Sequence, residues 1–148
     1  MIKKTGFTLI ELLIVIGILA ILMGAVVVAI NPGRQFAQAR NAQRWAHINS
    51  ISTAVYQNAV DNQGTFTCAA GAIPAAATIM KATGGYNICS CLVSTYLASL
   101  PYDPSTGNYY TSCTSYDSGY QIFQDATTNR ITILAPSAEL GETISITR

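Results

Sequence analysis

The chain carries 19 consecutive residues, Leu12 to Ile30, without a charged side chain, and a single carboxylate, Glu11, at the mouth of that run. At 1.5 Å per residue the run makes roughly 28 Å of helix, about the hydrocarbon thickness of a bilayer. An acid at the edge of such a run costs a few kcal/mol to insert, so it requires a partner and marks a candidate functional site. Five residues before it stands a glycine, in the order Gly6-Phe7-Thr8-Leu9-Ile10-Glu11.

The 148 residues suffice for one compact domain plus an anchor. Half of them are hydrophobic and 10% are charged, and the apolar content is concentrated in residues 7–30. The remainder, rich in Ser, Thr, Asn, Gln, Tyr and Ala, reads as a polar domain attached to a membrane segment. The formal charge is +1; without Lys3 and Lys4 it becomes −1, with 6 basic against 7 acidic residues. No basic stripe remains that could follow a phosphate backbone, so nucleic-acid binding is not expected.

Three readings compete for residues 1–30: a secretory signal peptide, an ordinary transmembrane anchor, and a leader cut ahead of the apolar run. The core is longer than a signal peptide's and holds a Glu near its start. A plain anchor leaves Glu11 unexplained. The third reading accounts for both Gly6 and Glu11. Lys3 and Lys4 flank one end of the run and Arg34, Arg40 and Arg44 the other, so flanking charge does not fix orientation.

Pro32-Gly33 follows the run, and a proline either ends or kinks a helix. The next segment favours a kink. From Arg34 to Val60 there is no Pro or Gly, and Phe36, Ala37, Ala39, Ile48, Ile51, Val55 and Ala59 recur at helical spacing. This predicts an amphipathic helix that stops at Asp61-Asn62-Gln63-Gly64. A combined rod of that length exceeds what so small a domain can cover, so part of it is expected to project.

Residues 65–107, punctuated by Gly71, Pro74, Gly84 and Gly85, read as irregular. Leu92, Val93, Tyr96, Leu97 and Leu100 predict a short helix within them. Strands are predicted at Asn108–Cys113, Tyr120–Gln124, Arg130–Leu134 and Glu142–Arg148, with a hairpin loop over residues 125–129. The four cysteines, Cys68, Cys89, Cys91 and Cys113, lie beyond the apolar run and suggest disulfides in an exported segment. Three pairings exist. Cys89 and Cys91 are too close to pair easily, which leaves loops closed by Cys68 and by Cys113. A zinc site, the rival, normally needs two C-x-x-C-type pairs, and only one C-x-C is present.

Residues 1–30 resemble the leader and N-terminal helix of type IV pilins and type II secretion pseudopilins, through Lys3-Lys4-x-Gly6 followed by Phe7-Thr8-Leu9-Ile10-Glu11-Leu12-Leu13. The resemblance implies that a membrane-embedded prepilin peptidase cuts after Gly6 and methylates the new amino terminus at Phe7. It implies that Glu11 neutralises the terminal amine of a neighbouring subunit during filament assembly. Pairing that ammonium with a carboxylate near hydrocarbon offsets the cost of leaving either alone, several kcal/mol. In many pilins the helix-breaking proline stands where this chain has Val28; here it is Pro32. Small residues at Gly17, Ala20, Gly24 and Ala25 permit close helix packing in a bundle. Leu100-Pro101-x-Asp103-Pro104, followed by Gly107-Asn108-x-Tyr110, resembles a segment of major pseudopilins that precedes a calcium loop. Only Asp117 and Asp125 follow before Glu139, too few carboxylates for a calcium site to be expected.

Catalysis finds no support: His47 is the only histidine and reads as a surface residue, and no nucleophile elbow, Walker loop or His-Glu-x-x-His occurs. Cys89-Ser90-Cys91 lacks the spacing of a redox motif. Trp45 and the tyrosines are expected to pack helix against sheet or to lie at subunit contacts. Tyr109, Tyr110, Tyr116 and Tyr120 alternatively form a sticky surface.

The expected fold is α+β: a long N-terminal helix, kinked at Pro32, packed on a small C-terminal antiparallel sheet in a ladle-like shape. Its parts are a leader (1–6), a transmembrane and assembly helix (7–31), an amphipathic helix (32–61) and an extracytoplasmic domain (62–148). The expected role is that of a non-enzymatic filament subunit without cofactors. It would sit in the inner membrane as a precursor and then in an extracellular pilus or periplasmic pseudopilus. Its expected partners are copies of itself in a helical filament, the prepilin peptidase, an assembly platform and a separate cytoplasmic ATPase. The alternatives are a pseudopilin of a secretion or competence system and a monomeric membrane-anchored binding domain.

Overall fold

Residues 6–106 and 109–148 are described by a computed structural model. The chain forms two units, one ending at Phe36 and the other running from Ala37 to Arg148. The basic leader residues Lys3 and Lys4, and Gly107 and Asn108, lie outside the described residues.

The first unit is dominated by helix α1, Leu9–Ile30. Its sequence is almost wholly Leu, Ile, Val, Ala and Gly, and none of its residues is buried. It is long and apolar enough to cross a membrane. Thr8, extended at φ −79° and ψ 155°, caps its start. The helix ends at Asn31, which turns left-handed at φ +48°, a conformation Asn tolerates better than most side chains. Helix α2, Pro32–Asp61, begins at the next residue. The interruption expected at Pro32-Gly33 is therefore made by Asn31. Pro32 opens α2, a position where its missing N–H leaves no hydrogen bond unmade. The Asn31 carbonyl and its side-chain oxygen both accept from the Arg34 N–H, at 3.1 and 3.4 Å.

In the second unit α2 buries Ala37, Asn41, Arg44, Ile48, Ile51, Val55 and Ala59, a stripe at three- and four-residue spacing. Two residues of the predicted stripe depart from it: Phe36 and Ala39 are exposed, and the turn they were assigned to buries the polar Asn41 and Arg44 instead. Four strands follow: β1 Thr78–Lys81, β2 Asp117–Gln124, β3 Ile131–Ala135 and β4 Ile144–Thr147. They pair antiparallel in the order β1-β2-β3-β4. In β3, Ile131, Ile133 and Ala135 alternate inward, as a half-buried strand requires. Ile48, Ile51 and Val55 of α2 share one core with Met80, Tyr120, Ile122, Ile133 and Ile144 of the sheet. The class is α+β.

Three predicted elements change. Residues 109–113 of the predicted strand Asn108–Cys113 form no ladder. Ser112 bridges only to Ser115 across a tight turn, and Cys113 is drawn away to a disulfide. The helix predicted from Leu92 to Leu100 is instead the single turn α3, Cys89–Leu92. Beyond it Ser94 takes φ +75°, and Val93 pairs with Leu97 in an isolated bridge. Strand β1 lies inside the segment read as irregular.

The described residues between Asn62 and Tyr116 hold few regular elements, and covalent links compensate. Cys68 joins Cys91 and Cys89 joins Cys113, at sequence separations of 23 and 24. Cys89-Ser90-Cys91 thus ties both loops to α3. Asn58 of α2 adds a reciprocal pair, its carboxamide oxygen accepting from the Thr67 N–H at 2.9 Å and its nitrogen donating to the Thr67 carbonyl at 3.2 Å. Loops of this length restrict the unfolded chain by about 3 kcal/mol per bridge. Replacing Cys68 and Cys91 together by Ala is expected to lower unfolding stability by about that amount, read by urea denaturation of the detergent-solubilised chain. An unchanged midpoint would contradict this role.

Candidate functional site

Gly6, Phe7 and Thr8 are exposed and lack regular structure, and the Phe7 side chain is 89% exposed. The Thr8 N–H and the Thr8 hydroxyl both donate to Glu11 Oε2 at 2.9 Å, and the Glu11 N–H donates to the Thr8 hydroxyl at 3.3 Å. This is a reciprocal capping box, which satisfies donors that a helix start otherwise leaves open. It places a carboxylate at the positive end of the helix dipole. Oε1 takes part in none of these bonds. The sequence reading sought the partner of Glu11 at the Phe7 amine. Within one chain the described partner is Thr8, and the Thr-x-x-Glu spacing carried that signal.

Gly17 and Gly24 of α1 have open space where a side chain would begin, with no described atom within 4 Å beyond the adjoining helix backbone, and Ala20 and Ala25 are exposed. The helix therefore presents small-residue surface along with its branched apolar side chains.

A second cluster sits where α2 meets the loops around Asp103 and Glu139. Arg44 and Asp103 are both fully buried; Arg44 Nε donates to Asp103 Oδ2 at 2.8 Å and Nη2 to Oδ1 at 3.2 Å. Arg44 Nη1 donates to Glu139 Oε2 at 2.9 Å, and Arg40 grips the same carboxylate with Nε at 2.7 Å and Nη2 at 2.6 Å. Asn41 completes the cluster: its nitrogen donates to the Glu139 carbonyl at 2.8 Å, and its oxygen accepts from the Glu139 N–H at 3.0 Å and from Arg44 at 2.8 Å. The Ser105 N–H and hydroxyl also donate to Asp103 Oδ1, at 2.8 and 2.6 Å. No buried side-chain polar atom among the described residues lacks a partner.

Burial pushes the Asp103 carboxyl up, yet the hydrogen bonds from Arg44 and Ser105 together hold it below its ordinary value. Hydrogen bonds from Arg40 and then Arg44 bring Glu139 down to about 2. The sequence reading treated Arg40 and Arg44 only as charges flanking the apolar run. Their carboxylate partners lie far along the chain, and no local spacing announces them.

His47 was expected at the surface. It is half-buried, and its Nδ1 lies 2.9 Å from the Tyr120 hydroxyl. Burial lowers its pKa, opposed by the Tyr102 carbonyl and the Asp103 charge. Tyr116 and Tyr120 are core residues, in line with the expectation that tyrosines pack helix against sheet; the alternative of a sticky surface shared with Tyr109 and Tyr110 does not hold for these two. Burial pushes the Tyr116 hydroxyl up to about 12.

Residues 1–27 match a family described as the prokaryotic N-terminal methylation motif, which is the leader of type IV pilins and pseudopilins. The motif supports a precursor of the type IV pilin or pseudopilin type, and it implies prepilin-peptidase processing and pilus-type assembly. The motif and the apolar helix fit a membrane-anchored precursor. No curated protein and no solved structure matches the chain.

Two outcomes follow from the buried cluster. Arg44→Met strands the Asp103 carboxylate in the core and is expected to cost about 3–5 kcal/mol by urea denaturation; adding Asp103→Leu should restore part of it. A carboxyl whose folded pKa is depressed stabilises the fold above its unfolded value. Glu139 therefore contributes above its ordinary pKa of 4.5, and that contribution is lost as pH falls towards about 2. Thermal melts of Glu139→Gln should show a weaker fall in Tm across this window than the unaltered chain.

Proposed function

We propose that the chain is a structural, non-enzymatic subunit of a type IV pilus-like filament. Prepilin peptidase cuts after Gly6 and methylates the amine exposed at Phe7. The mature subunit waits in the inner membrane through α1 and then moves into the filament, where copies of α1 cover one another. An assembly platform and a separate cytoplasmic ATPase supply the machinery and the energy. The observation that carries this reading is the methylation motif over residues 1–27, placed directly on a membrane-length helix with no buried residue.

Glu11 has two jobs in this account. Oε2 caps its own helix through Thr8, and Oε1 remains available to the Phe7 ammonium of an adjacent subunit. Methylation keeps the charge on that amine, so the pair survives it. Open-ended helical assembly needs heterologous contacts, and an apolar helix used on two sides provides them.

A pseudopilin of a secretion or competence system is the second reading, favoured by Leu100-Pro101-x-Asp103-Pro104. The buried ion pair from Asp103 to Arg44 gives that segment an anchoring role.

Glu11→Val tests the assembly role. Processing after Gly6 should persist, while the yield of sheared filaments seen by electron microscopy should fall about tenfold or more, because an unpaired amine near hydrocarbon costs several kcal/mol. Filaments at the unaltered yield would refute it.

A further inference from the structure

The side of α2 that bears Gln43 and His47 faces a cleft of about 500 Å³, walled by Ser99, Tyr102, Tyr109 and Tyr110. Its volume is that of a small-ligand pocket. We propose that this cleft binds a neutral saccharide, a mono- or disaccharide unit held by its hydroxyls and by the apolar face of its ring.

Four observations point to that chemistry. The first is charge. Among the described residues no Lys, Arg, Asp or Glu lines the cleft, so an ionic ligand would lose hydration there without gaining a counter-charge. His47 does not supply one near neutral pH, because burial holds its pKa below the ordinary value.

The second is the supply of hydrogen-bonding groups. Gln43, Ser99 and Tyr109 are exposed and Tyr102 is partly exposed, so the cleft offers a carboxamide and three hydroxyls at its surface. A carboxamide both donates and accepts, and so does each hydroxyl. A ligand bearing several hydroxyls is the complement of such a set, since every one of its groups can meet either role.

The third is aromatic surface. The Tyr102 and Tyr109 rings meet edge to face, with centroids 5.4 Å apart and planes at 63°. Tyr109 remains 71% exposed, an amphipathic ring open to a ligand with one apolar face and a polar rim.

The fourth is rigidity. Asp103, between Tyr102 and Pro104, is locked to Arg44, and its N–H donates to the Ser118 carbonyl at 2.8 Å. Gly119 takes φ +71°, and a side chain there would begin 2.8 Å from the Asp103 Cβ, so this wall rests directly on β2. The Tyr120 hydroxyl donates to the Tyr102 carbonyl at 3.4 Å. A wall fixed before binding loses little freedom on binding. Burying a charged pair under this loop does not by itself raise stability over apolar packing, and a prepositioned loop is a use for it.

The inference stands apart from filament assembly and is tested on the unassembled full chain in a phosphocholine detergent, which carries no sugar. Lactose, maltose and chitobiose are titrated by calorimetry and by saturation-transfer NMR. At least one is expected to bind saturably with a Kd of about 0.1–10 mM. Gln43→Ala, at an exposed position, and Tyr102→Ala should each weaken it by about tenfold or more, with circular dichroism melts confirming the fold. Absence of saturable binding by all three sugars overturns the proposal. So does binding that neither variant alters. Self-association abolished by Tyr102→Ala, without sugar binding, would assign the cleft to a second copy of the chain and also overturn it.

Discussion

An apolar helix of 22 residues with none of them buried cannot remain bare in water. Each large aliphatic side chain moved out of water contributes about 1.5–3 kcal/mol, and α1 consists mainly of such residues. Cover must come from lipid or from other chains. Under the proposed function, the subunit before and after assembly meets that one requirement in two ways. Lipid tails and neighbouring helices are similarly apolar, so transfer between them is not driven by hydrophobic burial itself. On the proposed reading, close packing at Gly17 and Gly24 and charge pairing at Glu11 are the terms left to favour assembly. The Thr8 cap makes the acid tolerable in the meantime, since the helix start supplies two donors to one carboxylate oxygen.

The second unit solves a different problem with the same kind of device. Its sheet has four strands, and much of residues 62–116 is irregular. Two disulfides restrain that segment, and the Arg44 cluster fastens two further loops to α2. The cluster is a specific clamp more than a source of net stability, because removing two charges from water cancels much of their attraction. Its value lies in selecting one arrangement: Asp103 and Glu139 reach the same guanidinium only if both loops are in place.

What could be read in the sequence follows from how local each cause is. The membrane-length run and its isolated acid are one-dimensional facts. Strands β2 to β4 show in their β-branched and aromatic residues, although β2 begins at Asp117, three residues before the predicted Tyr120, because Asp117 pairs with Lys81. β1 escaped because Thr78–Lys81 is only four residues long and follows Ala75-Ala76-Ala77, which carries no strand signal. Its register is imposed by β2. Arg44 was read only as a charge flanking the apolar run because its partners Asp103 and Glu139 are 59 and 95 residues away. Tyr116 and Tyr120 were expected to pack, with a surface role as the alternative, and the choice needed the fold: strand alternation sets which face they occupy, and one face is the core. The cysteines stood between these cases. Their spacing excluded the neighbouring pair, but choosing Cys68–Cys91 with Cys89–Cys113 needed the fold.

The central claim is that α1 is an assembly helix with a new N-terminus made at Phe7. Intact-mass and N-terminal fragment spectra of the chain purified from its native host test this directly. The account predicts a species starting at Phe7, its amine carrying one methyl group, with both disulfides intact. A chain that retains Met1, or one cleaved near Ala29, would contradict it and favour a plain anchor or a secretory signal.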